Sequence, residues 1–229
     1  MLCRDLAARG YAVAALDHSE TFVPELMRRD DETPEHRAAR IDAVIANRVP
    51  DVLVLLDVVL RGACGAPVAL DAERVGLAGH SFGGWTVLAT PDTDERVRSI
   101  VAHAPGGGRP IPPGIVPAEV DFAWRRPIPL FVVADLDASL PLPIMHELFA
   151  RAPEPKRLVV LPNTDHLHFG DDVETHHEAV RAMFASGPLA HLQTAMRPIA
   201  ELTPGAETQR TVSELTAAHF DTTLRGDAA

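Results

Sequence analysis

The sequence predicts an α/β protein built on a mostly parallel sheet flanked by helices, and three observations predict it. Short apolar runs alternate with longer amphipathic ones, the order expected of a chain that crosses back and forth between a sheet and its covering helices. The run Tyr11–Leu16 is apolar nearly throughout, as a strand buried on both faces should be. Finally, Gly79-His80-Ser81-Phe82-Gly83 stands between an apolar run and a helical one, a glycine-flanked turn joining a strand to a helix.

Taken in order, Leu2–Ala8 reads as a helix closed by Gly10, with Tyr11–Leu16 as the strand after it. Pro34–Ala46 and Pro50–Leu60 read as two helices, each with proline in its first turn, where the missing N–H costs little. Arg74–Gly79 is the next strand and Ser81–Ala89 a helix that Pro91 cannot continue. Ser99–His103 is a third strand. The stretch Pro105–Pro127, rich in proline and glycine, reads as a long irregular excursion, and long loops in compact domains often act as lids. Ile128–Ala134 and Arg157–Leu161 are further strands, separated by a helix near Ile144–Arg151. A helix runs from beyond Asp171 to about Phe184, and after a polar stretch a last helix runs from about Glu207 to Leu224. No repeat or charge block divides the chain, so residues 1–229 are expected to form a single domain.

Composition excludes several classes. Of 229 residues, 46% are apolar and 23% charged, ordinary for a folded globular chain. The net charge of −11 would repel nucleic acid and anionic membrane. No stretch approaches the roughly 20 apolar residues of a membrane span. Arg4, Asp5 and Arg9 interrupt any signal-peptide apolar core. Cys3 and Cys64 allow one disulfide or two reduced thiols. A cytoplasmic location is the expectation, with oligomeric state left open.

The glycine-flanked turn carries the chemistry. A nucleophilic serine at its tip must take strained backbone angles, so small residues are expected around it; Gly79 and Gly83 meet that need and Gly84 lets the helix pack closely. The turn would expose the Ser81 hydroxyl and aim the helix N-terminus at a developing oxyanion, with the backbone N–H of Phe82 as one donor.

A serine hydroxyl needs a base, itself oriented by a carboxylate, and behind this kind of turn the acid and the histidine follow in that order on loops after strands. His166, directly after the strand ending at Leu161, is the expected base, with His168 its nearest rival. The strand ending at Ala134 is followed by Asp135-Leu136-Asp137, and Asp137 is preferred as the acid because it stands further past the strand end; Asp135 is the alternative, otherwise a turn residue. His166, His168, Asp171, Asp172, His176 and His177 are dense enough to raise a metal site, but no H-E-x-x-H or Cys-x-x-Cys spacing occurs, and a polar rim beside the histidine loop is the preferred reading.

With these residues in hand, the chain resembles the α/β-hydrolase superfamily, and within it the dienelactone-hydrolase and platelet-activating-factor-acetylhydrolase-like esterases. The residues that carry the likeness are Asp5–Val13 with Leu16-Asp17-His18, Arg48–Asp51 with Leu56-Asp57, the turn Gly79–Gly84, His166-Leu167-His168-Phe169, and Phe220-Asp221 to Leu224–Asp227. It implies an α/β-hydrolase fold, Ser81, His166 and Asp137 as catalytic residues, Phe82 and His18 on the oxyanion or substrate side, and lipid-ester degradation as one setting. Family members begin with two or three further strands and a His-Gly-type loop that supplies a second oxyanion N–H. This chain opens in the helix that normally follows that loop, so the expectation is an N-terminally truncated hydrolase with a truncated or misassigned start. In the family's sheet the strand before that loop lies between those expected at Tyr11–Leu16 and Arg74–Gly79, so the alternatives are direct pairing of these two strands or a second chain in the place of the missing one. Losing an oxyanion donor typically costs about 10²–10³ in kcat.

The expected activity is hydrolysis of carboxylic esters, by resemblance of short acyl chains, with a small-molecule substrate and no cofactor or metal. Phe122 and Trp124 in the long excursion are candidates to line the substrate pocket, or else buried anchors of a surface loop. An amidase, thioesterase or lactonase would use the same residues. From another class comes a decayed hydrolase retained as a binding domain.

Overall fold

The computed structural model describes residues 1–18, 32–62, 65, 69–186 and 189–226. The chain divides into two compact units, one of residues 1–11 and 73–229, the other of residues 12–72. Cys64 and Asp227 lie outside the described residues; Cys3 is a free, exposed thiol.

The larger unit contains a four-stranded sheet of β1 (Val75–His80), β2 (Val97–His103), β3 (Ile128–Ala134) and β4 (Arg157–Leu161), in that order across the sheet and all parallel. β2 and β3 are the most deeply buried, and their valine-, isoleucine- and leucine-rich sequences fit strands covered on both faces. Helix α1 (Leu2–Ala8) and the long helix α7 (Gly205–Phe220) come together over one face. There Leu6, Val212, Ala217 and Phe220 bury against Val101, Leu130, Val132 and Leu161. A Cβ at Gly76 in β1 would stand 2.8 Å from the Phe220 ring, so glycine lets that helix approach the strand. Helix α3 (Phe82–Ala89) follows β1 and packs against β1 and β2, α4 (Leu142–Arg151) lies against β3, and α5 (Val173–Met183) and α6 (Ala190–Ala195) precede α7. Parallel strands all present their C-terminal ends at the same edge, so the loops after β1, β3 and β4 are neighbours there.

In the smaller unit, the two helices expected at Pro34–Ala46 and Pro50–Leu60 are one helix, α2 (Pro34–Leu60), that runs through Pro50. Thr33 caps it, its hydroxyl accepting from the backbone N–H of His36. Ile41, Val44, Arg48, Val52 and Leu56 repeat at three- and four-residue spacing on one buried face that continues across the proline, and nothing between Ala46 and Val49 breaks the helix. Tyr11–Leu16, expected as a buried strand, forms none: the segment has no regular structure, Ala12–Ala15 are exposed, and Tyr11 and Leu16 are half-buried. A strand persists only through a partner's hydrogen-bond ladder, which apolar composition alone does not supply.

Residues 104–127 contain neither helix nor strand, but they are tied down. The Trp85 indole N–H donates to the Glu119 carbonyl, and Arg151 donates to the carbonyls of Val120 and Gly107. No helix among the described residues is long and apolar enough to cross a membrane.

Candidate active site

The turn between β1 and α3 puts Ser81 in a backbone conformation that L-residues rarely adopt, φ 57° and ψ −117°. Three backbone bonds hold it there: its N–H donates 2.9 Å to the His103 carbonyl, and its own carbonyl accepts from Gly106 and Trp85. Of the glycines around it, Gly79 and Gly84 are required by space. A Cβ on Gly79 would lie 2.3 Å from the Gly83 carbonyl oxygen, and one on Gly84 would lie 2.8 Å from Pro105. Gly83, expected to be small for the same reason, has open space where its Cβ would stand. The crowding comes from Gly83's carbonyl folding back under position 79, and its own Cβ direction is clear.

From this turn a hydrogen-bonded chain runs through two other loops. Ser81 Oγ is 2.9 Å from His166 Nε2, and His166 Nδ1 is 2.7 Å from Asp137 Oδ2. An ionised carboxylate only accepts, so Nδ1 carries the proton and Nε2 of the neutral ring accepts from the serine hydroxyl. Asp137 is buried, and its other oxygen accepts the backbone N–H groups of Ser139 and Leu140, which fixes its direction. Asp135 faces elsewhere: its carboxylate accepts from the Thr164 N–H and its own N–H donates to the Leu161 carbonyl, stitching the loop after β3 to the loop after β4. Burial alone would push the His166 imidazole down. The charge and hydrogen bond of Asp137, with the charge of Asp165, outweigh it and raise the pKa above the ordinary value.

The His80 ring lies against His166, centroids 4.7 Å apart, and against Phe169 at 5.4 Å; the His103 ring stacks on Phe169 from another side. Burial, then the charges of His166 and His103, holds His80 well below the ordinary imidazole range, and burial pushes His103 down to about 4. Both rings are therefore neutral at neutral pH, His80 directly against His166 and His103 on the far side of Phe169. Beside His166 a small cavity of about 50 Å³ is lined mainly by Ala138, Ser139, Leu167, Phe184 and Met196.

No protein-family model and no curated protein matches the chain. Solved structures do. Over 82% of its length the chain is similar to a ferulic acid esterase from Streptomyces cinnamoneus, with a TM-score of 0.55, 24% identity and 51% of that chain covered. Over 77% it is similar to a puromycin-hydrolysing peptidase of Mycobacterium tuberculosis, with a TM-score of 0.51, 13% identity and 25% of that chain covered. A dienelactone hydrolase from Anabaena variabilis aligns with 66% of this chain and 50% of its own, at 18% identity and a TM-score of 0.39. The fold is that of the α/β hydrolases. The chain spans about half the length of the Streptomyces cinnamoneus enzyme.

On this α/β-hydrolase fold the remaining expected residues are placed as follows. Phe82 is the first residue of α3, directly after Ser81. His18 lies in the smaller unit, its Nδ1 2.7 Å from Asp51. Phe122 and Trp124 are buried: the Trp124 indole donates to the Leu88 carbonyl near the end of α3 remote from Ser81, and Arg151 lies over the Phe122 ring. Among the described residues no three potential ligands are grouped to hold a metal ion. His176 is exposed and His177 buried, and Asp171 pairs with the Met1 amino group.

The sequence reading missed a buried cluster directly behind His166. The Asp165 carboxylate lies 2.8 Å from His168 Nδ1 and 2.6 Å from His177 Nε2, and both histidine side chains are fully buried. The Asp165-x-x-His168 spacing in a one-turn helix was the available signal; His177 joins only through the packing of α5.

Proposed function

We propose that this chain is a serine hydrolase that cleaves carboxylic esters through Ser81, His166 and Asp137. The observation that carries this reading is the unbroken chain from Ser81 Oγ through His166 to Asp137 at a strained strand-to-helix turn. Such strain persists only where the surroundings enforce it, and active sites are where it concentrates.

The steps follow from the geometry. Ser81 Oγ attacks the ester carbonyl while His166 Nε2 takes its proton. The oxyanion forms beside the start of α3, where the Phe82 N–H and the helix dipole favour negative charge. Protonated His166, its Nδ1–H held on Asp137, then gives the proton to the leaving alcohol. Water repeats the cycle on the acyl-enzyme with His166 as base, releasing the acid and free Ser81. Short acyl chains are the substrates of this reading, and it is the sequence resemblance that favours them.

The test is a p-nitrophenyl ester series of increasing acyl length, with a fluorophosphonate probe in parallel. Expected are labelling at Ser81, faster turnover of acetate and butyrate than of long-chain esters, and loss of both signals in Ser81→Ala. Unchanged turnover in that variant would remove Ser81 from the mechanism. A folded wild type that neither turns over nor labels would support a binding domain instead. Matched thioester, lactone and amide substrates separate the chemistries that these residues share.

A further inference from the structure

We propose that Asp165, clamped between His168 and His177, is a positioning residue for His166: it fixes the one-turn helix that presents the base and supplies a second negative charge beside it. This rests on His166 serving Ser81 as proposed above.

The geometry begins with the loop itself. His166–Phe169 is a single 3₁₀ turn, too short to be stable alone. Asp165 caps it, Oδ1 accepting from the Leu167 N–H at 3.0 Å. Oδ2 of the same carboxylate meets His177 of α5, so both its oxygens are engaged while it is nearly inaccessible to water. His168 Nδ1, 2.8 Å from Oδ1, is also 3.1 Å from the Asp165 backbone N–H, from which a neutral ring with its proton on Nε2 accepts. The outer side of the turn is held as firmly. His168 Nε2 is 3.0 Å from the Thr203 carbonyl, and the Gln209 amide of α7 donates to the carbonyls of His168 and Gly170. The turn that carries His166 is thus fastened, through Asp165, His168 and Gly170, to three later segments of the chain.

A buried carboxylate with two imidazole partners is a costly arrangement for a mere loop staple, since an apolar contact of similar size would hold the turn without desolvating a charge. Burial acts to raise the Asp165 pKa, but the hydrogen bonds and charges of His168 and His177 hold it below the usual carboxylate range, so it stays ionised. That places a fixed negative charge one residue from His166. Among the described residues, the titratable groups facing His166 are Asp137 from the loop after β3, His80 from the end of β1 and Asp165; His103 is the next ring, across Phe169. Around Asp165 itself stand His168 and His177, with Glu174 and Glu178 next to them on α5.

The decisive variant is Asp165→Asn, which keeps shape and removes charge. Its amide can donate to His177 Nε2 once that ring moves its proton to Nδ1, an atom now buried without a partner and 3.5 Å from Glu178. Expected is a kcat loss of about ten- to hundredfold with KM little changed, because a misplaced base costs the chemical step. The acid limb of the kcat/KM profile moves to lower pH, since His166 loses a charge that favours its protonated form. Fluorophosphonate labelling slows in the same proportion. Should Asp165→Asn fold poorly, His177→Gln and His177→Phe give the answer: glutamine keeps a donor to Asp165 and retains more kcat than phenylalanine at equal folded fraction. A folded Asp165→Asn with wild-type kcat and an unmoved acid limb overturns the proposal, as does equal kcat in the two His177 variants. If wild type and Ser81→Ala turn over alike, the fault lies with the hydrolase reading rather than with Asp165.

Discussion

A Cβ at Gly79 would stand 2.3 Å from the carbonyl oxygen of Gly83, whereas a Cβ at Gly83 would meet nothing within 4 Å. The two glycines flanking Ser81 therefore differ in what they do. At position 79 the obstacle is backbone and cannot swing aside, so the turn would have to open and carry Ser81 with it.

Gly79→Ala is expected to lose about 3 kcal/mol, the upper end of overpacking costs, and with it the Ser81–His166 contact. Gly83→Ala is expected to lie within about 1 kcal/mol of wild type on the stable side, since alanine is the better helix former. Urea unfolding midpoints with ester turnover decide it. Equal stability of the two variants would mean that the turn is not closed as described.

The His166–Asp137 pair sets opposite pH trends for turnover and stability. Turnover needs neutral His166, so kcat/KM should fall in acid with a midpoint above the ordinary 6.5. The raised folded pKa contributes stability that is fully present below the unfolded value and is lost as pH rises through the folded one. The stability advantage of wild type over Asp137→Asn should therefore narrow as pH climbs through that window. The same variant should cut kcat by roughly 10³–10⁴, because the ring loses the tautomer that leaves Nε2 free to accept. An acid limb at or below the ordinary value in wild type would contradict this account.

How much of this was legible in the sequence varies with the range of the forces involved. The turn at Ser81 was legible because its glycines and the flanking strand and helix are local requirements. His166 and Asp137 followed from the order of strands, but Asp137 differs from Asp135 only in where a three-residue loop points each carboxylate. Gly83 was misread because the motif does not say whose carbonyl does the crowding. Tyr11–Leu16 has a strand's composition and no ladder. The role of Asp165 depends on His177, twelve positions away on another helix, a pairing that only the packing of α5 creates.

Pro50 gives a prediction remote from the chemistry. Inside α2 it removes one backbone donor and crowds the carbonyl four residues earlier, while the buried face from Ile41 to Leu56 holds the helix together. Pro50→Ala should stabilise this helix by up to about 3 kcal/mol. Hydrogen exchange of the amides between Ala46 and Val54 is the direct measurement. Faster exchange in the variant would show that the proline fits its site better than alanine.

Ser81 offers the sharpest contrast between stability and activity. At φ 57° and ψ −117° a side chain is strained by roughly 1–3 kcal/mol, and alanine inherits nearly all of that strain. Glycine does not, although it adds about 0.5–1 kcal/mol of unfolded-state entropy to be lost on folding. The strain term is the larger, so Ser81→Gly should melt above Ser81→Ala by the equivalent of about 1 kcal/mol, both variants being inactive. Calorimetry of the pair measures the strain at Ser81 net of that entropy. A glycine variant that melts below the alanine variant would mean that the turn at Ser81 stores less strain than the entropy glycine adds, and the observation on which the hydrolase reading rests would be weakened with it.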